Sequence, residues 1–441
     1  MRKLFLGVFV LLLTVGCAKE SAPQSKPVPA SESSTDGDST QENAAQEKAV
    51  SWDLSETYTV TKRNFRFYAH LSKDGEKAWV YKIEAEEEAA PTSLDFPNII
   101  KKANVTRIGA DMSDDPEQEF YKNVFDVWVE NAHGCDGYCR DNSKIKTMTL
   151  PATVTEIDQT AFSGMIALTE LEIPDQVKVL NAETFYGCSG LREVKLPENL
   201  SEISPYNCFA ECPKLDKFTI SEKNEKFTVE SGVLLTKDGK SLVLVPPKKK
   251  TVTIPDSVTT IKTRAFYDSY ATTITLGKNV VDLEEACLSG EKIENILIDD
   301  ANPVYAIDGQ CIYRKEDGLL AIAIAKSAEL IISDKVKKIS ADSILCGTLS
   351  EDRGVNLLDI PASVTWLGAE WVFAINMGAS AKVYFRGTTP PQLEEGGEEF
   401  NAKLPIFCKV YVPEESLKAY QDWYKDTGDF KYIEKKDWHT F

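Results

Sequence analysis

Pro151, Pro174 and Pro197 stand 23 residues apart, each directly after an aliphatic residue. The stretch Leu168 to Cys188 reads L-x-x-L-x-I-P-x-x-V-x-x-L-x-x-x-T-F-x-G-C. The preceding copy repeats it with Ile145, Met148, Leu150, Pro151, Val154, Ile157, Ala161, Phe162 and Gly164. The following copy has Leu191, Val194, Leu196, Pro197, Leu200, Ile203, Phe209 and Cys212. A unit this short cannot bury its apolar edge alone and must stack on the next, so a fixed period in the twenties predicts a solenoid. Within one unit, Leu171 and Ile173 should enter the core while Glu172 points out, because side chains alternate along a strand. Pro174 ends that strand, having no amide to donate. Val177, Leu180 and Phe185 then turn inward, and Phe162, Phe185, Phe209 and Phe266 are expected to form one aromatic column.

The period breaks twice. Between Phe227 and Pro247, two apolar runs flank Lys237-Asp238-Gly239-Lys240, which reads as a hairpin insert. A second insert runs from Val304 through Asp317-Gly318 to Ile324. Gly232 and Gly309 are 77 residues apart, and Ile254 and Ile332 are 78 apart, so three coils plus one hairpin form a larger repeat. Residues 51–142 read as an N-terminal cap. They comprise a hairpin with Phe65, Phe67 and Ala69 on one arm and Ala78, Val80 and Tyr81 on the other, then an irregular first repeat in which Val124-Phe125 takes the aromatic place. Residues 143–412 are the solenoid, with Val410-Tyr411-Val412 as its last strand. In residues 413–441, Pro413 suits a helix start and Leu417, Tyr420 and Tyr424 recur at helical spacing, which predicts a C-terminal cap helix and tail.

The chain of 441 residues carries a net charge of −19 and three histidines. Nucleic acid and anionic membrane surfaces require basic patches, so this balance disfavours both as partners. Few histidines leave little for His-based catalysis, and no G-x-S-x-G, P-loop, dinucleotide fingerprint or H-E-x-x-H occurs. The expectation is a non-catalytic protein with no cofactor and no metal.

At the N-terminus, Arg2 and Lys3 precede the apolar run Leu4 to Leu13, which is too short to span a membrane and reads as an export signal. Gly16-Cys17 resembles a bacterial lipobox, with Leu13 one place early and Thr14 where Leu is commonest. The resemblance implies that residues 1–17 are a lipoprotein signal ending at Cys17, the acylated residue. Residues 18–50 are rich in Ser, Pro, Gln, Glu, Ala and Thr without an aromatic until Trp52, and they read as a disordered tether. The membrane would then be met only through the lipid anchor.

The units Leu150 to Phe162, Ile173 to Phe185 and Ile254 to Phe266, written I-P-x-x-V-x-x-I-x-x-x-A-F, resemble the BspA-type leucine-rich repeat surface proteins of bacteria. The inserts and the closing Val410-Tyr411-Val412-Pro413 with Tyr420 and Trp423 are similar to that group. The resemblance implies an α/β-type but predominantly β fold: a leucine-rich repeat right-handed solenoid with a parallel β-sheet on one face, hairpin inserts and terminal caps. It further implies adhesion or protein–protein interaction at the cell surface, on the outer membrane, with a host or bacterial protein as partner.

The outward residue of each strand is the natural ligand-facing position: Thr149, Glu172, Lys195, Thr219, Thr253, Thr275, Leu297, Ile331, Asp359, Tyr384 and Tyr411. The second half is more apolar and aromatic, which marks Leu297, Ile331, Tyr384 and Tyr411 as a candidate partner face; β-propensity or cover by the hairpin inserts is the other explanation for Leu297 and Ile331. A glycan-binding or glycan-degrading surface protein is the alternative function, with Trp366, Trp371, Tyr384 and Tyr411 as sugar platforms. Cys188 and Cys212 follow the repeat Phe by three residues and should be buried. Cys135 and Cys139, beside His133, fit a local disulfide, free thiols or a metal pair without a second half. The acidic groups Asp111 to Glu119 and Glu394 to Glu399 lack the spacing of an EF-hand loop.

Overall fold

The structure is a computed structural model that describes residues 50–85, 92–109, 121–122, 128–129, 144–204, 206, 208–284, 286–288, 290, 292–325, 328–340, 343–345, 355–368, 377–393, 409–425 and 437–441. Each coil begins with a short strand such as Glu170–Glu172, in which Leu171 is buried between two exposed glutamates. These strands stack in parallel register: Leu171 beside Val194 beside Phe218, then Val252 beside Ile274 beside Ile296. The P-x-x-V motif is a turn, because the Pro carbonyl accepts the amide three residues on; Val177 N–H donates to Pro174 O at 3.0 Å and Val258 N–H to Pro255 O at 3.0 Å. A second parallel ladder follows on the next side of the coil, Val179–Leu180 beside Glu202–Ile203 and Thr260–Ile261 beside Asp282–Leu283.

The closing arc makes a third set of coil-to-coil bonds, with Phe162 N–H donating to Thr184 O at 3.0 Å and Phe185 N–H to Cys208 O at 3.0 Å. Two residues before each of these aromatics the backbone is left-handed without being glycine: Thr160 at φ 58°, Glu183 at 55°, Arg264 at 57°. Such a conformation costs about 1–2 kcal/mol. The neighbouring coils hold it, since Thr160 N–H reaches Ala182 O and Glu183 N–H reaches Tyr206 O, both at 3.3 Å.

Inside, Phe162, Phe185 and Phe209 stack face to face with centroids 5.7 and 5.5 Å apart. Phe96 closes the column at one end and Phe218 at the other. Phe266 is not part of it. The first insert separates its coil from that of Phe209, and Phe266 belongs to a different apolar cluster. The buried residues fall into three such clusters, and the borders lie at the two inserts.

Each insert is a three-stranded antiparallel meander rather than a bare hairpin: Phe227–Glu230, Val233–Thr236 and Ser241–Leu244, then Tyr305–Asp308, Cys311–Arg314 and Leu319–Ile324. The last strand of each joins the second ladder, Ser241–Leu242 beside Thr260–Ile261 and Leu319–Leu320 beside Lys338–Ile339. The inserts therefore extend the second side and leave the first open. The N-terminal segment is a third copy, Trp52–Lys62, Phe65–Ser72 and Lys77–Ala85, whose last strand pairs in parallel with Ala103–Ile108. Its first strand was not expected from sequence. Tyr81 also departs from the expected alternation: a bulge pairs Ala69 with Val80 and Tyr68 with Lys82, which turns Ile83 inward and sets Tyr81 on the outer side against His70.

All three meanders turn on the same chemistry. Asp74, Asp238 and Asp317 accept the amides of Glu76, Lys240 and Leu319, and the following Gly75, Gly239 and Gly318 sit at φ 74°, 70° and 71°. The bidentate bond from Arg314 holds the Asp317 carboxyl well below its ordinary value, helped by the Leu319 amide and Lys338. A carboxylate depressed in the fold contributes its stability above the unfolded pKa and loses it as pH falls through the folded value. Stability should therefore drop below about pH 4. Asp317→Asn should flatten that slope in denaturation curves recorded between pH 4 and 2; an unchanged slope would remove Asp317 from the acid response.

At the far end, a 3-10 turn Glu414–Ser416 leads into the helix Leu417–Lys425. Tyr420 is buried against Phe385 and donates its hydroxyl to Gly387 O at 3.0 Å, so the helix packs on the core. The chain does not end there. Asp437–Thr440 returns as a further parallel strand beside Lys409–Val412, so Val410-Tyr411-Val412 is not the last of the sheet. The first-repeat reading at Val124-Phe125 lies outside the described residues.

Candidate functional interface

The parallel register brings the outward residues of the first sheet into one row per segment. Glu172, Lys195 and Thr219 are neighbours; so are Thr253, Thr275 and Leu297; so are Ile331, Asp359, Tyr384, Tyr411 and His439. The character of the row changes along the chain. Near the N-terminus it is a cross-strand charge ladder, with Lys195 on Glu172 at 2.5 Å and, in the flanking row, Lys217 on Glu193 at 2.7 Å. Threonines follow, whose branched side chains suit a pleated surface.

Leu297 and Ile331 come next, 55% and 56% exposed. The inserts do not cover them. The turn of the second insert meets the backbone of Ile331, whose N–H donates to Gln310 Oε1 at 3.4 Å. Two large aliphatic side chains thus face water on an otherwise polar row, which costs solvation and is the kind of exposure that recognition surfaces carry.

Beyond them the row becomes aromatic. Tyr384 and Tyr411 stack at 4.5 Å with planes 17° apart, and Tyr411 stacks on His439 at 4.7 Å and 19°. Arg386 is pinned by two bonds to Asp359, at 2.9 and 2.7 Å, and its guanidinium lies 4.7 Å from the ring centroids of both Tyr384 and Phe441. His439 and Phe441 were not singled out in the sequence. They arrive only through the unexpected last strand, and the alternation Asp437-Trp438-His439-Thr440 is a signal too short to stand alone.

Trp366 does not join this cluster. Its strand Trp366–Leu367 belongs to the second ladder, between Lys338–Ile339 and Gln392–Leu393. Trp371 lies outside the described residues, as do Cys17, Cys135, Cys139, His133 and both acidic groups.

Cys188 and Cys212 are fully buried and donate to Phe162 O and Phe185 O, both at 3.3 Å. Burial pushes the thiol of Cys287 up to about 12 and that of Cys311 up to about 11, and it raises Cys208 and Cys212 as well. None of these four is a thiolate at neutral pH, which removes them as nucleophiles. Two clefts open where each insert interrupts the second ladder. The larger, about 190 Å³, lies among Leu283, Glu284, Cys287, Leu288, Tyr305 and Arg314. Burial opposes ionisation of Glu284, but bonds from Lys262 and Thr263 outweigh it and hold the carboxyl low, so it is no proton donor near neutrality. Among the described residues no group of three or more His, Cys, Asp or Glu is placed to hold a metal, and no helix is long and apolar enough to cross a membrane.

The family model of the BspA type leucine rich repeat region matches residues 136–231 and 248–345, in six copies. No curated protein matches the chain. Among solved structures, the chain is similar to a leucine-rich cell surface protein from Faecalibacterium prausnitzii at 16% identity and TM-score 0.31, over 72% of this chain and 93% of that one. It is similar to a leucine-rich repeat protein from Bacteroides ovatus at 16% and 0.35, over 86% and 99%. It is similar to the pneumococcal vaccine antigen PcpA at 14% and 0.38, over 82% and 96%.

Proposed function

We propose that this chain, whose repeats are of the BspA leucine-rich type, is a non-catalytic, lipid-anchored surface protein that binds another protein across its first sheet. The observation that supports this most is the change along one row of outward residues, from self-paired charges at Glu172 and Lys195 to the exposed Leu297 and Ile331 and the ring stack of Tyr384 and Tyr411. Charges already satisfied within the row attract little. Open aliphatic side chains beside ordered aromatics are what buried interface cores are made of. Acylation at Cys17 and the tether of residues 18–50 would hold the solenoid off a bilayer, with a coil of about 30 residues reaching roughly 30 Å. Outer-membrane, outward-facing placement completes the reading.

The glycan reading loses its platform in the same geometry. Sugars stack on open ring faces, whereas both faces of Tyr411 are occupied, by Tyr384 and by His439, and Trp366 is on another side of the solenoid.

The experiment is capture by the full chain from host extracellular matrix proteins, co-resident bacterial surfaces and a glycan panel. A saturable protein partner is expected, and Leu297→Asp with Ile331→Asp should weaken it by at least about tenfold while circular dichroism stays unchanged. Glycan retention alone, or partner binding untouched by the double variant, would overturn the proposal.

A further inference from the structure

The first sheet is interrupted between the strands Asn295–Ile298 and Glu329–Ile331, where the second meander intervenes. A strand in a parallel sheet turns its backbone groups alternately to its two sides. In Asn295–Ile298 the odd positions serve the preceding strand: Asn295 N–H donates to Thr272 O at 2.9 Å, and beyond the strand Asp299 N–H donates to Leu276 O at 3.1 Å. Ile296 and Ile298 therefore direct their N–H and C=O groups into the break. Among the described residues no hydrogen bond meets them there.

The opposite lip is closed by side chains. Ile331 N–H donates to Gln310 Oε1 at 3.4 Å, Cys311 Sγ donates to Ile331 O at 3.8 Å, and Ser333 N–H donates to Cys311 Sγ at 3.4 Å. The meander thus supplies that edge with substitutes for a neighbouring backbone and leaves the edge of Asn295–Ile298 without them.

The open lip also lacks the usual protection. Sheet edges in soluble proteins are blunted by charge, above all by lysine. At the other break, the strand Lys217–Thr219 carries Lys217, and Lys248 beside it holds Asp216 at 3.1 Å. Asn295-Ile296-Leu297-Ile298 carries no charge, and its isoleucines favour pairing. Leu297 and Ile331, the two aliphatic side chains exposed on the outward row, are the flanks of this same break. Unpaired backbone and open apolar surface therefore coincide at one place.

We infer that the break is a strand-addition site, where an extended segment of a protein partner pairs with Ile296 and Ile298 and sets an aliphatic side chain beside Leu297 and Ile331. A polypeptide presents amides and carbonyls alternating at strand spacing, which a sugar does not. Outward side chains of paired strands stand side by side, as Thr275 and Leu297 do, so the added strand brings one to the two flanks. The inference rests on partner binding across the first sheet and adds how the partner is held.

The test uses the full chain and two labelled probes of about ten residues: an alternating Thr/Val peptide, and the same peptide N-methylated on its consecutive central residues. Methylation there removes donors from both edges and keeps the side chains. In the free chain the Ile298 amide should exchange with solvent at least about tenfold faster than those of Leu297 and Asp299, and the Thr/Val peptide should slow it. In fluorescence anisotropy that peptide should bind at least about tenfold tighter than the methylated one. Ile298→Pro deletes an N–H the ladder does not use, so circular dichroism should hold while affinity falls at least about tenfold. A slow Ile298 amide in the free chain overturns the inference, as does equal binding of the two peptides or no binding of either below about 1 mM. Full affinity in a folded Ile298→Pro chain does the same. A captured protein partner lost on Leu297→Asp with Ile331→Asp yet kept by Ile298→Pro would refute strand addition while leaving binding across the first sheet intact. A partner indifferent to all three changes would remove both.

Discussion

Phe185→Ala should destabilise the fold by about 3–5 kcal/mol, the range for truncating a fully buried phenylalanine. The ring is entirely enclosed, with Phe162 stacked on one face at 5.7 Å and Phe209 on the other at 5.5 Å. Those neighbours cannot close the hole. Each is itself packed edge-on or tilted against a further ring, Phe96 or Phe218, and each belongs to a coil held to the next by backbone bonds. The stacking geometry adds roughly 0.5–1.5 kcal/mol per pair beyond the area buried. Because the apolar core is divided at the inserts, the loss should fall on the coils from Phe96 to Phe218 first. Denaturant unfolding read by hydrogen exchange should show amides around Thr160 to Leu215 losing protection before those after Val252. An unchanged midpoint would mean that the ring column has been assigned to the wrong residues.

Asn224→Ala should cost a similar amount, roughly 3–5 kcal/mol, by a different route. Asn224 is 1% exposed and makes four bonds to backbone: its Nδ2 donates to Glu198 O and Leu200 O, both at 2.8 Å, and its Oδ1 accepts from Lys226 N–H at 2.8 Å and Phe227 N–H at 2.6 Å. The side chain thus ties the previous coil to the first residues of the meander. Alanine leaves the buried Leu200 carbonyl and the buried Phe227 amide without these partners, and each such group costs about 1–3 kcal/mol. Asn302 repeats the arrangement 78 residues later, bonding Gly277 O, Val280 O and the amides of Val304 and Tyr305. Asn224→Asp should cost at least as much as alanine, because it sets a buried carboxylate oxygen against the Glu198 and Leu200 carbonyls in place of the donor they now share. Exchange at the amides of Phe227 to Leu244 is the local readout; protection unchanged there would show that the insert is held by its own pairing alone.

These two residues also mark what can and cannot be read from a sequence of this kind. Leu171, Ile173, Pro174 and Val177 announce a strand and its turn because their roles are local and recur every 23 residues. The outward row was legible for the same reason: register follows once the period is known. Asn224 was not, since its four partners sit in two different coils and a lone asparagine in Ser221-Glu-Lys-Asn-Glu-Lys reads as one more polar loop residue. Phe266 fits the local pattern and still leaves the column, because only the intervening meander decides what stacks on what. Tyr81 was misplaced by one inserted residue, which reverses every side chain after it. The strand Asp437–Thr440 carries no Pro and no Leu, and its partner strand is what makes it one. On the proposed partner face, the outward places of Leu297, Ile331, Tyr384 and Tyr411 follow from spacing, while those of His439 and Phe441 depended on the return of the tail.

The division of the core at the meanders bears on how such a chain changes length over evolutionary time. From Asn224 to Asn302 the molecule contains one repeating unit: a clamp, a meander and three coils, whose apolar cluster runs on into the second meander. A tandem duplication of those 78 residues would place each new clamp on a coil of the kind it already grips, and each new meander on a ladder of the kind it already extends. The row of outward residues would lengthen by three positions that had no earlier pairing to preserve. Growth by whole units thus supplies fresh outward surface while the existing contacts stay in register, and the elements that flank the repeats need never be rebuilt.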